Sequence, residues 1–272
     1  MSVTHVVQYS GGAGSWYTSR RVAETRMTPG DELLMLFADT KTEDEDLYRF
    51  LGESSADVLS RLPEGCTGRL QRLADGRNVW EVFRDKRFIG NTRIDPCSKI
   101  LKRDLIRDWM DANLEPANTV VYLGIDWTEE DRFQRARPRW EPWVLEAPLC
   151  EPPYVDKEDV LAAMEAAGIR RPRLYDLGFV HNNCGGFCVK AGRAQFKLLL
   201  EQLPERYAYH EQQEADFREA IGKDVAILRD RRGGLTKPMT MRTFRERIEA
   251  KTIVVDPDDI GGCACFTPDN DD

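Results

Sequence analysis

Tyr9-Ser10-Gly11-Gly12-Ala13-Gly14-Ser15 follows the apolar pair Val6-Val7 and runs straight into a helical stretch. A glycine-rich turn between a strand and a helix is an anion cradle. The glycines let the backbone approach closely, successive N–H groups converge, and the helix adds the positive end of its dipole. Ser10 and Ser15 add hydroxyl donors. No lysine follows the last glycine, so the pattern of ordinary P-loop nucleotide hydrolases is absent. Without a ligand, the same residues read simply as a tight strand–helix junction.

Outward from this turn, apolar runs at 3–9, 32–38 and 119–123 predict strands, and helical spacing at 15–25, 43–60 and 100–110 predicts helices. Strands separated by helices imply parallel βαβ units with right-handed crossovers, that is, a Rossmann-like α/β sheet flanked by helices. Ligands of such sheets bind beyond the carboxyl ends of the strands, here residues 10–15, Asp39 and residues 124–127. Five prolines and two tryptophans between 138 and 153 predict a rigid connection rather than a regular element. Beyond it, Asp156 and Asp159 signal a helix start over 160–167. Further helices are predicted at 191–203, 206–221 and 241–250, with Arg232-Gly233-Gly234 as a break. The expected organisation is a nucleotide-binding α/β unit over 1–150 and a mostly helical, cysteine-bearing C-terminal extension over 151–272 packed on it.

The 272 residues, 41% hydrophobic and 32% charged, suit a globular enzyme, and no apolar run is long enough to span a bilayer. The N-terminus lacks a basic segment followed by a hydrophobic stretch, so it does not read as a signal peptide. A net charge of −8 argues against a broad nucleic-acid surface. Seven cysteines, an odd number without a leader, point to a reducing cytoplasm and to metal or redox chemistry rather than a disulfide framework.

Four motifs carry a family resemblance. Ser10-Gly11-Gly12-x-x-Ser15 resembles the PP-loop of the ATP pyrophosphatase superfamily (adenine nucleotide alpha hydrolase-like, HUP-type) and its phosphoadenosine phosphosulfate reductase-like family. Leu36-Phe37-Ala38-Asp39-Thr40 is similar to the F-x-D-T after that family's second strand, although Lys41 stands where glycine is usual. Cys97, opening the helix Ser98-Lys99-Ile100-Leu101-Lys102, matches a cysteine segment with a following lysine, there often a cysteine pair. Residues 172–179 lead to Cys184-Gly185-Gly186-Phe187-Cys188, resembling a segment that ends in a C-x-x-C pair, with C-x3-C in its place. Where the superfamily usually has G-x-R after a strand, Gly124 is followed by Asp126, and Arg132 remains a phosphate candidate.

The resemblance implies ATP with Mg²⁺ at Ser10, Gly11, Gly12, Gly14, Ser15, Phe37, Asp39, Gly124 and Arg132, with Asp39 holding the Mg²⁺ or the nucleotide. It implies a 4Fe–4S cluster on Cys97, Cys184, Cys188 and Cys263, or zinc in its place, with Cys97, Cys263 and Cys265 as reactive thiols. It implies transfer of AMP to a substrate oxygen, release of pyrophosphate and insertion of sulfur. The alternatives are sulfonucleotide reduction releasing sulfite, although the family's C-terminal E-C-G-x-[HL] segment is missing, and a non-catalytic nucleotide-binding protein with structural zinc. Expected partners are the nucleotide and a sulfur donor or thioredoxin-like reductant, with a homodimer left open and no membrane. Cys66 and Cys150 have no partner at metal spacing.

Overall fold

A computed structural model describes residues 2–91, 94–231 and 235–262. Its centre is a five-stranded, all-parallel sheet in the order β3-β2-β1-β4-β5, formed by β1 (Thr4–Gln8), β2 (Glu32–Ala38), β3 (Thr67–Leu73), β4 (Thr119–Tyr122) and β5 (Val144–Glu146). This is the Rossmann-like α/β class. The strand order reverses between β1 and β4, and the crevice beyond that switch point is where such sheets take ligands.

β1 and β2 are central and buried on both faces, which is why they read as continuous apolar runs. One face packs α1 (Ala13–Thr25), α2 (Glu45–Ser60) and α7 (Lys157–Ala166) over Val7, Leu33 and Met35. The other packs α5 (Leu105–Asn113) and α6 (Glu130–Ala136) over Val6, Leu34 and Val121. β3 lies at the sheet edge and alternates exposed and half-buried residues; it carries no apolar run and had no counterpart in the sequence reading. The segment expected to be a rigid connection contains β5 as well as its prolines. A three-residue strand among prolines is too short to show a period.

A third core joins α3 (Val79–Lys86) to α8 (Arg173–Asp176), α9 (Arg193–Gln202), α10 (Pro204–Ile221) and α11 (Met241–Glu249), beside the small antiparallel pair β6 (Leu228–Asp230) and β7 (Lys237–Met239). Near its centre the Trp80 indole N–H donates to His210 Nδ1 at 2.9 Å, and the His210 ring stacks on Phe187 with centroids 3.6 Å apart. Burial, with a smaller contribution from Arg206, pushes the His210 imidazole down to about 3. The folded state therefore refuses a proton that the unfolded chain accepts below its ordinary value near 6.5. Stability contributed here is present above pH 6.5 and is lost as pH falls toward 3. Between pH 6.5 and 5 the loss from this residue is expected to be about 2 kcal/mol. Thermal melts across that window check it: a His210→Gln variant, which keeps an acceptor for Trp80, should show a shallower slope than the parent.

Among the described residues no helix is long and apolar enough to cross a membrane. α4 (Pro96–Ser98) opens a helical tract that is π-helical over Lys99–Asp104 before α5, and it brings Cys97 beneath the C-terminal half.

Candidate functional site

The turn between β1 and α1 is shaped by its glycines and held by a distant segment. Gly11 has φ +75°, and a Cβ there would stand 3.1 Å from the Leu47 side chain, so the position requires glycine. Asn182 Nδ2 donates to the Gly11 carbonyl at 2.8 Å, and the Ala13 N–H donates to the Tyr175 hydroxyl at 3.2 Å. Ser15 Oγ donates to the Gly12 carbonyl at 2.9 Å, and Ser10 Oγ lies 3.3 Å from Ser15 Oγ. Gly124, just past β4, comes so close that a Cβ would stand 3.0 Å from Ser15 N. The first turn of α1 and the end of β4 are thus locked together at the switch point.

Between them opens a cavity of about 430 Å³. Ser10, Gly12, Gly14, Ser15, Gly124 and Arg132 line it, six of the positions expected to hold the nucleotide. Arg132 is bonded to Glu129 Oε1 at 2.6 Å. Lys157 faces the same space; its Nζ donates to the Val180 carbonyl at 2.8 Å and lies 5.1 Å from the centre of the Tyr175 ring. Burial lowers Lys157 against the raising influence of Glu158 and Asp126, and burial, then Lys157, lowers His181 on the same wall. The cavity wall carries the N-terminus of α1, Arg132 and Lys157, with the carboxylates of Asp126, Glu129 and Asp156 beside them.

Two expected nucleotide residues are placed elsewhere. Phe37 is buried in the core beneath α1 and α2. Asp39, 1% exposed, is absent from the cavity lining; its Oδ1 accepts from the Lys41 N–H at 2.9 Å and the Tyr48 hydroxyl at 3.0 Å, and its Oδ2 accepts from Arg72 Nε at 2.8 Å and from Arg72 Nη2. Burial and this carboxylate push the Tyr48 hydroxyl up to about 12. With both oxygens bonded, Asp39 ties β2 to β3. The helix that follows is capped by Asp44, which accepts from the Asp46 N–H at the start of α2.

The cysteines gather at a second place. Cys97, Cys184 and Cys188 line one small cavity with Thr40, Asp95, Ser98, Lys102 and Lys190. Left-handed backbone at Cys184, Gly185 and Gly186 turns the chain there; a Cβ on Gly185 would meet the Thr42 carbonyl at 2.7 Å, and one on Gly186 would meet Phe179 at 2.7 Å. Buried Lys102 places its Nζ 3.6 Å from Cys184 Sγ and 3.6 Å from Glu43 Oε1. Glu43 also accepts from the Cys184 N–H and from Thr40 Oγ1. An ammonium beside a sulfur favours the thiolate. Arg206 donates to the Gly185 carbonyl at 2.6 Å and to Asp44 Oδ2 at 2.9 Å, fastening the turn to α2.

Among the described residues no three His, Cys, Asp or Glu side chains are grouped to hold a metal ion, although three thiols share this cavity. Cys263 and Cys265 lie outside the described residues; the chain reaches them from Gly262, which lines the larger cavity. Cys66 donates to the Thr28 carbonyl, and Cys150 donates to the Ile125 and Asp126 carbonyls, with burial pushing its thiol up to about 11. Neither belongs to the site.

The sequence reading did not single out Tyr175, Asn182, Asp44 or Gln8 as site residues. Tyr175 stood inside a quoted motif, but its contact with Ala13 spans 162 residues and has no local signature.

The fold and site define a doubly wound α/β protein with a phosphate-type turn at its switch point. No protein-family model matches the chain, and no curated protein does. Among solved structures, the U34-tRNA thiolase NcsA from Methanococcus maripaludis with its [4Fe-4S] cluster is similar at 14% identity, with a TM-score of 0.41, over 79% of this chain and 73% of that one. A likeness this distant carries no argument about the reaction.

Proposed function

We propose that this chain is an ATP-binding PP-loop enzyme that adenylates a substrate oxygen, releases pyrophosphate and inserts sulfur. One observation carries the reading: a phosphate-type turn and a three-thiol cavity are built at the carboxyl end of one parallel sheet and joined through α2, where Asp44 and Glu43 hold the cysteine turn. In the first step a substrate oxygen attacks the α-phosphorus, the bond to the β-phosphate breaks, and pyrophosphate leaves with the bonding electrons. In the second, a sulfide-class donor attacks the carbon bearing the adenylated oxygen, and AMP departs with that oxygen.

The cradle N–H groups with Ser10 and Ser15 would bind the pyrophosphate portion, and Arg132 and Lys157 would offset its charge. Cys97, Cys184 and Cys188, with Cys263 as fourth donor, are the soft ligands that suit an iron–sulfur cluster, which when bound would hold the sulfur to be transferred. Lys102 would sit beside the Cys184 sulfur as its ammonium partner.

Iron and acid-labile sulfide counted on protein isolated without oxygen test the sulfur half. About four of each per chain is the expected result. Zinc without sulfide would make the cysteines structural and overturn sulfur insertion. Absence of any metal, with sulfite released from a sulfonucleotide, would move the assignment to a reductase.

A further inference from the structure

Gln8 closes β1, two residues before Ser10, and is 1% exposed. Both atoms of its amide group, Nε2 and Oε1, lack a hydrogen-bond partner among the described residues, although the residue lines the larger cavity. By strand alternation it faces the same side as Val6, toward Leu123 and Ile125. Leu123, Ile125 and Leu149 form the apolar wall of the cavity on this side.

A buried amide without partners is costly, so an unbonded one in a cavity wall is matched to something that enters the cavity. A carboxamide offers a donor and an acceptor side by side in one plane. That pair is complementary to a heterocycle edge with an acceptor nitrogen next to an amino group, which is the pairing glutamine makes with adenine. An apolar wall with few polar groups is what holds a planar ring. Resting on the nucleotide-site reading above, we infer that Gln8 is a specificity-determining residue whose amide takes the amino and ring-nitrogen edge of the nucleotide's adenine. The phosphates lie on the turn two residues further along.

The inference separates affinity from stability. Gln8→Met keeps the length of the side chain and removes both polar atoms, so the fold loses no bond and sheds an unsatisfied group. Calorimetric titration of the full chain with Mg-ATP and, separately, with inorganic tripolyphosphate tests it, alongside melting without ligand. The parent protein should bind both, and ATP more tightly. In Gln8→Met, ATP affinity should fall roughly tenfold or more while tripolyphosphate affinity stays within about twofold. The melting temperature should hold or rise. Unchanged ATP affinity in the variant, or equal affinity of the parent for the two probes, would overturn the assignment. A fall in melting temperature of more than about 4 °C would show that the amide is bonded within the fold, and would also overturn it. If the parent binds neither probe, the phosphate-site reading fails first, and the inference with it.

Discussion

Asp44→Ala is expected to lower the melting temperature by roughly 5–15 °C, the equivalent of about 2–4 kcal/mol in a chain of this length. Asp44 is fully buried and its Oδ2 accepts from Arg173 at 2.6 Å and from Arg206 at 2.9 Å, while Oδ1 caps α2. Removing it uncaps a helix and leaves two guanidinium groups without their shared anion. The Arg173 side chain is 47% exposed and the Arg206 side chain 23%, so water recovers part of the loss and the estimate stays below that for a fully buried pair. Burial pushes the Asp44 carboxyl up, but the two arginines and the Asp46 N–H outweigh it and hold it below the usual carboxylate range. Its contribution is therefore complete above the ordinary carboxylate value near 4 and is lost as pH falls through the lowered one. Melts of parent and Asp44→Ala should differ most at pH 7 and converge in strong acid. Arg206 also holds the Gly185 carbonyl, so the variant should expose Cys184 to alkylation faster than the parent. Equal melting of parent and variant at pH 7 would show that the network does not hold the cysteine turn.

Replacing Ser10 and Ser15 together with alanine is expected to slow AMP formation by roughly 10²–10³, the loss typical of removing donors aimed at developing charge. Stability should fall by only about 1 kcal/mol, because the hydroxyls lose one ordinary bond, from Ser15 to the Gly12 carbonyl at 2.9 Å, and a long one to each other at 3.3 Å. Single-turnover rates of parent and double variant check it, with melting curves to confirm that the fold persists. A rate within about threefold of the parent would be too small for loss of such donors and would place the chemistry away from this turn.

Much of this was legible in the sequence wherever burial was two-sided or capping was local. β1, β2 and β4 are buried strands and show as apolar runs, and the Asp156–Asp159 capping box shows as a spaced acidic pair. The glycine-rich turn and the Cys184–Cys188 pair were readable from residue type and short spacing, whereas the meeting of Cys97 with that pair in one cavity was implied only by the family resemblance. What failed depended on partners far along the chain. β3 is an edge strand with Arg69 and Gln71 among its residues and shows no apolar face, whereas α10 was legible as a helix over 206–221 but not its burial of His210, Glu211 and Glu214. Glu214 is accounted for only by the Ile227 and Met241 N–H groups it accepts. Asp39 was read as a candidate for Mg²⁺ or the nucleotide from its motif at a strand end; its bond to Arg72, on the neighbouring strand, has no local signature. Gln8 was hidden inside the run that defined β1, since a single polar residue in an apolar strand reads as noise until its amide is found without a partner.

On the proposed function, the cavity above the Ser10–Ser15 turn binds ATP for cleavage between its α- and β-phosphates. Chromatographic separation of the products after incubating the full-length protein with Mg-ATP, with water as the acceptor oxygen, tests this most directly. AMP and pyrophosphate in equal amounts, lost in the double serine variant, is the result the account predicts. ADP and phosphate, or ATP recovered unchanged without detectable binding, would contradict it.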